Sequence, residues 1–83
     1  MSKADKLLAR FRQNPRNVRP EELENVLLRL GFTKRAGKGS HRVYTQGRFI
    51  LTVPYRKPFL RQRYVKEALA AIDALAIDDA TEE

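Results

Sequence analysis

Apolar residues recur along this chain in two rhythms, and the change of rhythm divides it. Ala4, Leu7, Leu8 and Phe11 fall at i, i+3, i+4 and i+7, one stripe of a helix. Ser2 and Asp5 have capping-box spacing at its start. Pro15 ends it, because the residue before a proline is pushed out of the helical region. Residues 14–19 then form a basic, turn-rich connection. Pro20 suits the first turn of a second helix, with Glu21 and Glu22 at its positive end. Val18 and Leu23 have the spacing of a hydrophobic staple around Arg19 as N-cap. Leu23, Val26, Leu27 and Leu30 repeat the helical stripe, and Gly31 fits a left-handed stop with Phe32 covering the last turn.

From Phe32 the period falls to two. Residues 32–36 are expected as a short strand, 37–40 as a loop, 41–45 as a second strand and 48–53 as a third. Gln46-Gly47 between the last two resembles a two-residue hairpin turn. Phe49, Leu51 and Val53 share one face, and Ile50 and Thr52 share the other. Val43 and Tyr44 are neighbours, so only one of them can face the helices. Pro54 ends the strand, and residues 55–58 are a basic loop. A last helix is expected over about 61–76, with Val65, Ala68, Leu69, Ile72 and Leu75 as its stripe. Residues 78–83 form an acidic tail expected to fray. Helix, helix, three antiparallel strands, helix predicts an α+β domain. Its three-stranded antiparallel sheet carries helices on one face and leaves the other open, as several RNA-binding modules do.

Length and composition narrow what such a fold can do. A chain of 83 residues makes one domain with a thin core, so a surface site is expected over a deep cleft. Cysteine is absent, which excludes disulfides and thiolate metal sites. A single histidine argues against the common zinc sites, and no metal or cofactor is expected. No leader-like apolar segment and no run of about 18 apolar residues appears, so a soluble cytoplasmic chain without membrane contact is expected.

The net charge of +7 is unevenly placed. Residues 1–20 carry +5, residues 21–31 carry −2, and residues 64–83 carry −5. Residues 32–63 hold nine Lys or Arg and no acid at all. Such a block marks a polyanion partner. Nucleic acid is the leading expectation, with an acidic protein partner beside it. A membrane surface would call for a basic amphipathic helix, whereas this charge lies in strands and loops.

The same block holds the chemistry. Histidine is the side chain whose reference chemistry suits proton transfer at neutral pH, which makes His41 the candidate to move protons. RNA supplies its own nucleophile, the 2′-hydroxyl, and a general base that takes its proton permits attack on the adjacent phosphate without metal. Lys38, Arg42 and Arg35 are candidates to stabilise charge on phosphate oxygens. The Gly37-Lys38-Gly39 backbone can approach a phosphate closely, and Ser40 can orient His41 or bond a phosphate oxygen. The plainer alternative is that His41 opens a strand and contacts phosphate passively. The loop is not a P-loop, since Phe32 stands where the first glycine is needed and Gly39 where Ser or Thr is needed. Tyr44 and Tyr55 are candidates for base stacking or a second proton transfer. Arg56, Lys57 and Arg61 are further phosphate candidates around the start of the last helix. No carboxylate lies between Gly31 and Glu67, which leaves a two-metal nuclease centre without ligands in the basic block.

The run Gly37-Lys38-Gly39-Ser40-His41-Arg42-Val43-Tyr44, then Leu51-Thr52-Val53-Pro54, then Leu60 followed by Tyr64-Val65-Lys66-Glu67-Ala68-Leu69, resembles the HicA toxins of type II toxin–antitoxin pairs. Leu23 to Phe32 is similar to the helix that precedes the motif in that family. The resemblance covers about residues 18–75. It implies a double-stranded-RNA-binding-domain-like fold, α-β-β-β-α, with an extra helix in front. Residues 1–17 would be the N-terminal extension, 18–77 the ribonuclease domain and 78–83 the tail. It also implies a metal-independent endoribonuclease that cleaves messenger RNA through one catalytic histidine, His41, and is neutralised by a HicB-type antitoxin. The alternative within the same fold is a non-catalytic RNA-binding module. The chain departs from the family pattern in its helix at 2–14, and in Leu60-Arg61-Gln62-Arg63 where Lys-Pro-Gly is common after the leucine.

Overall fold

The computed structural model describes the backbone of residues 3–81 and the side chains of residues 3–76. Ser2, expected as a cap, and the last two residues of the acidic tail lie outside that range. The elements are α1 (Lys3–Gln13), α2 (Pro20–Arg29), β1 (Thr33–Ala36), β2 (His41–Gln46), β3 (Phe49–Pro54) and α3 (Gln62–Thr81). The sheet is antiparallel in the order β1-β2-β3. This is an α+β fold with an open three-stranded sheet, and the run from α2 to α3 has the layout α-β-β-β-α.

Local signals account for most boundaries. Arg19 is the N-cap of α2, and its N–H donates to Glu22 Oε1 at 3.1 Å. Val18 and Leu23, on either side of the cap, are both buried, as a staple requires. At the other end Gly31 adopts φ +98°, its N–H donates to the Leu28 carbonyl, and the Phe32 N–H reaches back to Leu27. This pair of bonds is a Schellman stop, which needs a residue that tolerates positive φ.

Two expectations shift. The β2–β3 turn is Gly47-Arg48 rather than Gln46-Gly47, because Gln46 pairs with Phe49. Gly47 takes φ +58° at the first turn position, the place glycine occupies in one of the two favoured hairpin turns. The inward face of β3 is unchanged by this shift. The last helix also runs to Thr81, about five residues past the expected end. No glycine or proline interrupts residues 62–81, and six alanines favour continuation.

All three helices share one core with the inner sheet face. Phe11 of α1, Val26 and Leu27 of α2, Val65 and Ala68 of α3 are fully buried in one cluster with Tyr44, Leu51 and Val53. The α1 helix is therefore built into the core. Polar ties reinforce it at the surface. Arg10 pairs with Glu22 of α2. Arg12 donates to Asp73 of α3 through both terminal nitrogens, at 2.7 and 3.2 Å. Burial alone would raise the Glu22 carboxyl, but the Arg10 and Arg19 hydrogen bonds outweigh it and hold the group below the usual range. On the opposite sheet face Ile50 is 68% exposed.

Candidate functional site

Strand register sorts the candidate residues between the two faces. Partners directly across a sheet point the same way. Arg42 sits opposite Val53, and Tyr44 opposite Lys34 and Leu51. Leu51 and Val53 are buried, so Arg42, Tyr44 and Lys34 belong to the helix side. His41 and Val43 alternate with them and lie on the open side. They share it with Arg35, opposite Val43, and with Thr52, on the other side of Val43.

His41 is held from the loop before it. Its backbone N–H donates to the Lys38 carbonyl at 3.0 Å, and its ring Nδ1 lies 3.0 Å from the same oxygen. A carbonyl oxygen only accepts, so Nδ1 carries the proton in this bond. The neutral ring then keeps its lone pair on Nε2, away from the loop. Gly37 closes the other side. Its N–H donates to the His41 carbonyl at 3.0 Å, and a Cβ added there would stand 3.1 Å from the His41 Cβ. Gly39, at φ +60°, turns the chain in the left-handed region, with open space around it. Lys38, Gly39, Ser40 and His41 are all exposed. The Ser40 carbonyl accepts the Tyr55 N–H at 2.8 Å, which ties the 55–58 loop to this turn.

The structure therefore brings His41, Arg35, Lys38, Gly39 and Ser40 to one exposed surface. Arg35 is the next side chain toward β1 on that face, a diagonal neighbour at about 7–8 Å. Thr52 joins them as a hydroxyl that sequence reasoning placed on this face without a role.

Arg42, Tyr44 and Tyr55 are placed differently. Tyr44 is 3% exposed and its hydroxyl donates to Glu24 Oε1 of α2 at 2.8 Å. Burial pushes its phenol up, and the Glu24 hydrogen bond and charge add to that. Tyr44 is thus a core residue and a fixed donor, closed to base stacking. Glu24 also pairs with Lys34 Nζ at 3.1 Å. Burial would raise the Glu24 carboxyl, but hydrogen bonds from Tyr44 and Lys34 and the charges of Lys34 and Arg42 hold it low. The Arg42 guanidinium lies over the Tyr55 ring, 4.8 Å from its centroid, and the Tyr55 hydroxyl reaches Glu21 at 3.4 Å. One face of Tyr55 is therefore covered by the protein's own cation. Arg56, Lys57 and Arg61 are exposed on the segment that follows.

Among the described residues, no group of three His, Asp or Glu side chains is placed to hold a metal ion. No described helix is long and apolar enough to cross a membrane. Comparison with protein-family models, with curated proteins and with solved structures finds no match for this chain.

Proposed function

We propose that this chain is a metal-independent endoribonuclease of the HicA toxin type, with the double-stranded-RNA-binding-domain-like fold of that family. The observation that carries the proposal is the setting of His41. Its Nδ1–H is held by the Lys38 carbonyl, and its Nε2 stands on an exposed face with Arg35 and Lys38, in a stretch of sequence that holds nine cations and no acid.

The chemistry uses only groups on that face. Nε2 takes the proton of a 2′-hydroxyl, and the 2′-oxygen forms a bond to the adjacent phosphorus. The bond to the 5′-oxygen breaks, and that oxygen leaves with a proton from Lys38 or solvent. The products are a 2′,3′-cyclic phosphate and a 5′-hydroxyl. Arg35, the Lys38 ammonium and the backbone of the Gly39 turn offset charge that builds on the phosphate oxygens. Ser40 supplies a hydroxyl beside them.

The same positive face suits an acidic protein inhibitor of the HicB kind, which would silence the enzyme by covering His41. Growth arrest on expression in the cytoplasm, relieved by the product of a neighbouring reading frame, is the cellular outcome expected. In the test tube, purified protein in chelator should cleave single-stranded RNA to cyclic-phosphate ends and leave DNA intact. Tight, salt-sensitive binding with the RNA left whole would establish the non-catalytic binding module instead.

A further inference from the structure

A second concentration of cations lies outside the His41 surface. The α1–α2 connection meets the segment before α3 where the Leu60 N–H donates to the Val18 carbonyl at 2.8 Å. Beside this contact is a depression of about 400 Å³, whose lining includes Arg16, Arg56 and Arg61 with Pro58 and Phe59. Among the described residues no carboxylate lines it. None of the three arginines is ion-paired to a carboxylate among the described residues. The Arg16 Nε donates to Gln62 Oε1 at 3.4 Å, which leaves both terminal nitrogens for a ligand.

Three arginines around one depression, with no described carboxylate in its lining, suit a compact anion. Guanidinium forks match the oxygens of a phosphate. The volume falls in the range of small-ligand sites, and the apolar walls of Pro58 and Phe59 suit a sugar or a base edge. The depression is also continuous with the His41 surface along the chain. Tyr55 bonds Ser40 beside His41, and the next residue, Arg56, enters the lining.

We propose that this depression is a second phosphate subsite, which grips a phosphodiester of the RNA chain away from the one at His41. Arg16, contributed by the α1–α2 connection, completes it. The inference rests on the ribonuclease reading for its ligand, and binding tests it separately from cleavage.

The probe is a single-stranded 2′-O-methyl oligonucleotide, which cannot be cleaved at the 2′-oxygen. Its affinity for the full chain is measured by fluorescence anisotropy over a salt series. Arg16→Ala should weaken binding about tenfold at low salt, as loss of a charged hydrogen-bonding group does. It should also lower the slope of log Kd against log salt by about 0.7, the value of one single-strand phosphate. Lys6→Ala, which removes one exposed charge on α1, away from the depression, should keep the wild-type slope. In cleavage assays Arg16→Ala should reduce the kcat/KM preference for a long RNA over a dinucleotide. An Arg16→Ala protein that binds like Lys6→Ala overturns the subsite, even if the enzyme cleaves RNA. Weakened binding by Arg16→Ala in a protein that never cleaves supports the subsite and refutes the ribonuclease.

Discussion

Removing one hydroxyl, in Tyr44→Phe, separates a structural tyrosine from a catalytic one. The hydroxyl donates to Glu24 at 2.8 Å from a ring that is 3% exposed. A hydrogen bond to a charged partner contributes about 1.5–3 kcal/mol. Glu24 keeps Lys34 as a partner, and its side chain retains 24% exposure, so the loss should fall at the lower end, about 1–2 kcal/mol. For a domain of this size that lowers Tm by roughly 5–15 °C. Thermal melting followed by circular dichroism reads it directly. The pH dependence has a definite sign. Glu24 is held below the usual carboxylate range, so its contribution is complete above the unfolded pKa and is lost as pH falls through the folded one. The gap between wild type and Tyr44→Phe should be full at pH 7 and shrink on acidification. RNA cleavage per folded molecule should stay near wild type, because the hydroxyl lies on the helix side. A melting gap under about 0.5 kcal/mol, well below a charged hydrogen bond, together with a large loss of cleavage, would refute the placement and make Tyr44 the proton donor.

Other perturbations test the core and the loop. Phe11→Ala empties a fully buried site where α1 meets the rest of the core, and urea unfolding should show a loss of about 3–5 kcal/mol. A loss under about 1 kcal/mol, typical of an exposed site, would mean that α1 is an appendage. Gly37→Ala places a Cβ 3.1 Å from both the His41 Cβ and the His41 carbonyl oxygen. The His41 Cβ and backbone must give by tenths of an ångström and carry the ring with them, so kcat should fall about tenfold or more while the melting curve changes little. Gly39→Ala meets open space but keeps φ +60°, so it should cost about 1–2 kcal/mol in stability with a smaller effect on kcat than Gly37→Ala.

The helices were legible because their signals are local. Stripe, cap and stop all lie within a few residues, as at Val18, Arg19, Leu23 and Gly31. The strand faces followed from alternation once Leu51 and Val53 were assigned inward. What stayed hidden depends on contacts far apart in the chain. Choosing Tyr44 over Val43 for the core follows from its register opposite Leu51, and its hydroxyl is satisfied by Glu24, twenty residues earlier, a partner that nothing near Tyr44 announces. The acidic first half of α2 was the available sign, since carboxylates beside a basic sheet seek partners in it. Arg42 adjoins His41 in sequence, yet adjacency in a strand means opposite faces. In sequence Arg16 is only part of a linker, because its approach to Gln62 spans 46 positions. The hairpin slipped by one residue because Gln-Gly imitates Asn-Gly, whereas Gly47 serves at the first turn position.

The central claim is that His41 moves the proton, and one comparison tests it most directly. Single-stranded RNA is incubated in chelator with wild-type protein and with His41→Ala, at matched folded concentrations. Loss of a positioned general base should slow cleavage by about 10²–10⁴-fold, while binding of the uncleavable oligonucleotide persists. Equal cleavage by both proteins would contradict the account.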